Sequence, residues 1–86
     1  MDNIVCIEGP VEDIDGKMML RIPLNVGGEQ LKKYVVSIST VDEQYLNIEI
    51  KPWLAEKLNI KVGSFVYVDN KEGKFTITRS ERNDGI

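Results

Sequence analysis

A mainly β fold with one short α-helix, a small barrel or twisted antiparallel sheet, is what this sequence predicts. Three observations carry that prediction. Apolar residues recur at every second position through much of the chain, as in Met18, Leu20, Ile22 and Leu24, or Leu46, Ile48 and Ile50. That period places alternate side chains on opposite faces of a strand. Clusters of Gly, Asn and Asp, among them Asp15-Gly16 and Asn70 to Gly73, punctuate the runs as turns do. Only after Pro52 does the spacing become helical, with Leu54 and Leu58 four apart.

Ile4 to Glu8 is a continuous apolar run ended by Gly9-Pro10, which reads as a buried or central strand. Cys6 within it reads as a small buried hydrophobe. Val11 to Gly16 connects it to the next strand, with Asp15-Gly16 as a hairpin turn. The acids Glu12, Asp13 and Asp15 lack the later oxygen ligands of a calcium loop and read as a solvated turn. Lys17 to Leu24 alternates cleanly. Pro23 cannot donate to a ladder and places that end at an edge or bulge.

Asn25 to Glu29, with Gly27-Gly28, is a loop. Gln30 to Val41 is the longest strand expected, with Tyr34, Val36 and Ile38 on one face and Lys33, Val35, Ser37 and Ser39 on the other. Asp42 to Gln44 turns the chain into a strand over Tyr45 to Ile50, with Leu46, Ile48 and Ile50 inward. Pro52 opens a helix that runs to Leu58, and Asn59 suits its left-handed cap. A helix this short needs tertiary support, expected from Leu54, Leu58 and Trp53 packed on the sheet. Ser64 to Asp69 and Lys74 to Thr78 form a final hairpin around the Asn70 to Gly73 loop. Residues 1–78 read as a single β-rich domain, and 79–86 as a polar, disordered tail.

At 86 residues the chain is near the lower end of what one core stabilises alone. Cys6 is the only cysteine and histidine is absent, which rules out an internal disulfide and argues against a zinc site. Self-association is the expected extra source of stability. The acidic N-terminus, the lone thiol and the lack of a long apolar run point to the cytoplasm and away from membranes. A net charge of −3 from interspersed acids and bases gives no strong electrostatic footprint. No nucleophile–base arrangement, phosphate loop or dinucleotide fingerprint is present, so neither an enzyme nor a cofactor is expected.

The turn Val41 to Gln44, the strand Ile48 to Ile50, the proline-opened helix with Leu54 and Leu58, Lys61-Val62-Gly63 and the hairpin strands Phe65 to Val68 and Lys74 to Thr78 together resemble the AbrB-type swapped-hairpin fold of the cradle-loop barrel group. The resemblance covers residues 33–80, with Lys33 to Thr40 as its first strand and residues 1–32 as a β-hairpin extension. It implies an intertwined homodimer and, in many relatives, duplex DNA binding by transcription regulators or antitoxins. This sequence departs from the pattern at the basic positions. Leu46 and Asn47 stand where relatives carry Gly-Arg, and Ala55 where they carry a helix arginine.

Two functions follow as expectations. The first is a non-enzymatic DNA-binding regulator or antitoxin-like protein that contacts phosphates through Lys32, Lys33, Lys51 and Arg79. The second is a small protein-binding module, an inhibitor or adaptor that keeps the fold without DNA binding. It would use Tyr45, Trp53 and Tyr67 as aromatic anchors.

Overall fold

The computed structural model describes residues 4–80. Among them, six antiparallel strands form one sheet in the order β3-β4-β2-β1-β5-β6. The strands are β1 (Cys6–Ile14), β2 (Lys17–Pro23), β3 (Ser39–Val41), β4 (Tyr45–Glu49), β5 (Phe65–Asp69) and β6 (Thr76–Arg79). Two short helices accompany them, α1 (Gly28–Leu31) and α2 (Pro52–Leu58). The architecture is therefore mainly β, as the alternation predicts.

The sheet bends at β1. Residues Cys6 to Pro10 pair with β5, whereas Val11 to Ile14 pair with β2. The backbone accounts for the switch. The Val11 N–H donates to the Ser64 carbonyl on the β5 side, so by alternation the nitrogens of Pro10 and Glu12 face β2. Pro10 has no hydrogen there to donate, and the β1–β2 ladder stops at the Val11–Leu20 pair. On β2, the Leu24 N–H bonds the Gln44 carbonyl, so the Pro23 nitrogen faces away from β4 and towards the same gap. Both prolines thus spare the ladders that form and border the opening where the strands part.

The Gly27-Gly28 pair fills that opening. A Cβ on Gly28 would lie 2.9 Å from the Pro23 carbonyl oxygen, and one on Gly27 would lie 2.6 Å from Val5 Cγ1. Gly27 also adopts a φ of 97°, open chiefly to glycine. The hairpin at the other end of β1 is as predicted: Asp15 and Gly16 both have positive φ, at 54° and 82°.

One face of the sheet holds the core. Val11, Leu20, Ile22, Leu46, Ile48, Ile50, Val66 and Val68 are at most 2 % exposed. Leu31 and Val35 close over it, and Ala55 and Ile60 add the α2 end. The α2 boundaries are those predicted, with Pro52 at the start and Asn59 in the left-handed conformation. The Ile60 N–H bonds the Ala55 carbonyl at 2.8 Å and the Asn59 N–H bonds Glu56 at 3.2 Å, which is the Schellman arrangement.

Five expectations need correction. The first strand does not stop at Gly9-Pro10: β1 runs on to Ile14, so of the expected Val11 to Gly16 connection only Asp15 and Gly16 form the turn. Gln30 to Val41 is not a strand: α1 and two 3-10 turns, Lys32–Tyr34 and Val36–Ile38, precede a strand of only Ser39–Val41. Leu31, Val35 and Ile38 face the core at helical spacing, while Val36 is 75 % exposed. Cys6 is exposed, because it shares the outward face with its register partner Asp69. Trp53 projects away from the sheet, and Ala55 takes the buried helical position instead. Order also extends past Thr78: Arg79 ends β6, and Ser80 is buried with its hydroxyl bonded to the Glu8 carboxylate. The rest of the expected tail, residues 81–86, lies outside the described residues.

Candidate functional site

Two surfaces collect side chains capable of recognition, and the sheet lies between them. The first is the outward face of β2 and β4. Directly opposed residues share a face, so Arg21, Asn47 and Thr40 line up across β2, β4 and β3, and Pro23 stands opposite Tyr45. Arg21 Nε donates to Asn47 Oδ1 at 3.0 Å, and its guanidinium carbon lies 4.0 Å from the Tyr45 ring centroid. Asn47 Nδ2 donates to Asp42 Oδ2 at 3.1 Å. Asp42 Oδ1 also accepts from the backbone N–H groups of Gln44 and Tyr45. These bonds, the Gln44 amide first, then Asn47 and Tyr45, with the nearby Arg21 charge assisting, hold the Asp42 carboxyl below its usual value.

This network stands between two open clefts. One of about 400 Å³ is lined by Pro23, Leu24, Asn25, Glu43, Gln44 and Tyr45. The other, of about 190 Å³, includes Met19, Ser37, Thr40, Asn47 and Glu49. Asp42 is exposed and its hydrogen-bonding capacity is spent on its own turn, so the network is suited to fixing the β3–β4 hairpin. Among the described residues, no group of three or more His, Cys, Asp or Glu side chains is placed to hold a metal ion.

The second surface is the outward face of α2. Leu54, Ala55 and Leu58 turn to the core, which leaves Trp53 66 % exposed. Lys57 lies four residues on, on the same side of the helix. Lys51, at the helix N-cap, reaches Glu49 Oε1 at 3.4 Å.

The expected site residues are distributed as follows. Lys32 and Lys33 occupy the turn after α1. Lys32 Nζ lies 2.7 Å from Glu29 Oε1, and Lys33 Nζ lies 5.4 Å from the Tyr34 ring centroid. Arg79 sits on β6, at the far edge of the sheet from β3, with Nη1 3.4 Å from the Asn59 carbonyl. Lys51 and Arg79 therefore lie at opposite ends of α2, a helix about 10 Å long at the usual rise per residue. Each of the four cations already has an acceptor or ring within the chain. The aromatic candidates are no closer to one cluster. Tyr45 and Tyr67 are on the outward sheet face, three strand spacings or about 14 Å apart, while Trp53 is on the helix over the core face.

The Arg21–Asn47–Asp42 network escaped the sequence reading. Its signal was the run of polar residues at outward positions of β2 and β4, but that pattern does not reveal which strands are neighbours.

Fold and surfaces together define a small antiparallel-sheet protein with two short helices over one face. Compared with known proteins, the chain matches no family model, no curated protein and no solved structure.

Proposed function

We propose that this chain is a non-enzymatic protein-binding module whose contact surface is the outward face of α2. The carrying observation is Trp53: the only tryptophan of the chain is 66 % exposed on a helix that packs Leu54, Ala55 and Leu58 on the core and ends in a Schellman cap. Exposed indoles on rigid elements are typical anchors of protein interfaces. Lys57, one turn on along the same side of the helix, adds a positive charge near the ring, so the matching partner is a polypeptide segment that borders an apolar side chain with carboxylates. The DNA-binding reading has less support. Lys32 and Lys51 are engaged with Glu29 and Glu49, and Arg79 lies well removed from Lys51.

The test is peptide display selected on immobilised wild-type chain and counter-selected on Trp53→Ala. Enriched peptides should pair an aromatic or aliphatic residue with acids. Their affinity should fall by roughly 30-fold or more in Trp53→Ala, the scale of a hot-spot residue. The variant should melt like wild type, since the indole contributes little to the core. Absence of any Trp53-dependent peptide sinks the proposal. Salt-sensitive binding of a random DNA duplex, weakened by Lys32→Ala and Lys51→Ala, would favour the nucleic-acid reading instead.

A further inference from the structure

We propose that β6 is the seam of a homodimer, in which two copies pair their β6 strands antiparallel and join two sheets into one. Trp53 plays no part in this, so it stands or falls separately from the protein-binding reading.

The argument begins with where the β6 backbone points. The Ser80 N–H donates to the Phe65 carbonyl. Register then makes Thr78 and Thr76 the residues bonded to β5, opposite Tyr67 and Asp69. Ile77 and Arg79 therefore aim their N–H and C=O groups outward, at the edge of the sheet. Among the described residues no strand pairs with that edge, and an unpaired edge is a template for another strand unless proline, lysine, a bulge or a cover blunts it. Within Thr76–Arg79 no residue is proline or lysine, and Arg79 is its only charge. The opposite edge is β3, which is shorter.

A second copy suits this edge because the strand complements its own reversal. A two-fold axis through Ile77, perpendicular to the sheet, sets Ile77 opposite Ile77 of the other copy. Their outward groups then form the doubly hydrogen-bonded pair of an antiparallel ladder. The same axis sets Thr76 opposite Thr78, a favourable cross-strand pair. It sets Arg79 opposite Phe75, a cation facing an aromatic ring rather than another cation. Ile77 and Phe75 belong to the core side and are half-buried, so pairing extends the core across the seam. The short chain, with its modest core, gains the extra burial that small domains need.

The register makes the test specific. Analytical ultracentrifugation of the wild-type chain should give twice the mass of a single chain. Thr76→Lys combined with Thr78→Lys opposes like charges across the seam and should return the mass to one chain. Thr76→Lys combined with Thr78→Glu opposes unlike charges and should restore the doubled mass. Both threonines are exposed, Thr76 with its hydroxyl donating to Asp69 Oδ1, and a far-ultraviolet circular-dichroism spectrum matching wild type verifies that the variants fold. A readout on the unaltered protein accompanies them: Ile77 and Arg79 amide exchange should slow as concentration rises. A wild-type monomer at NMR concentrations overturns the proposal. So does a dimer that survives the double-lysine change, or one whose Ile77 and Arg79 amides remain unprotected.

Discussion

Asp42 shows how one exposed side chain can set a turn. Its carboxylate caps the β3–β4 connection by accepting from Gln44 N at 2.9 Å and Tyr45 N at 2.8 Å, and it takes a third bond from Asn47. The Arg21 guanidinium is farther, at 3.7 Å, and both side chains are partly solvated, so the ion pair contributes less than the hydrogen bonds. The bonds exist only in the folded chain and favour the ionised form, which lowers the folded pKa beneath the ordinary value of 3.8. A depressed carboxyl pKa contributes stability that is present above the unfolded value and is lost as pH falls through the folded one. Asp42→Ala should therefore melt below wild type at neutral pH, and the gap should narrow as pH drops below 3.8. Thermal melts of both proteins across that range give the answer. A gap that stays constant into acid would mean that the charged form has no special role.

At the scale of elements, segments with one dominant period were legible and the segment with two was not. In β2 and β4 every alternate residue is apolar, and in α2 a proline, a leucine pair and an asparagine mark start, face and end. Between Leu31 and Val41 the residues satisfy both patterns. Tyr34, Val36 and Ile38 fit a strand, while Leu31, Val35 and Ile38 fit one side of a helical turn. Tertiary packing decided for the second set: Leu31 and Val35 enter the core cluster and Ile38 packs against it, while Val36 is left to solvent. Gly27-Gly28 carried no signal of that role: a glycine pair reads the same in sequence whether it serves a turn or a tight approach. Cys6 was misread for a related reason. An apolar run marks a strand, but its two faces can be told apart only once Asp69 and Tyr67 are known to lie alongside. The helical assignment has a direct check. Leu31→Ala removes a side chain with no exposed surface and should cost about 2–5 kcal/mol. Val36→Ser alters a solvated position and should stay within about 0.5 kcal/mol of wild type. Urea titrations distinguish the two, and a large loss at Val36 would restore the strand reading.

For the molecule as a whole, the bend in β1 raises the question of whether two half-sheets fold as one unit. One half comprises β2, β3 and β4 with the C-terminal part of β1; the other comprises β5 and β6 with its N-terminal part. They meet at Val11. Its N–H and carbonyl engage Ser64 and Gly63 on the β5 side, its register partner is Leu20 on β2, and its side chain is 1 % exposed. The core is continuous through it: Val66 and Val68 from one half join Leu20, Ile48 and Leu46 from the other in a single cluster. Neither half could bury its apolar face alone, so loss at the junction should be felt throughout. Val11→Ala leaves a cavity where the halves join and should remove about 2 kcal/mol, which for a domain of this size lowers the melting temperature by roughly 8–16 °C. The decisive feature is the shape of the transition. Far-ultraviolet circular dichroism, reporting the whole sheet, and side-chain fluorescence should shift together and remain a single step. Two separated steps in the variant would show that the halves are independent domains sharing a strand, with Pro10 marking a boundary rather than a bend.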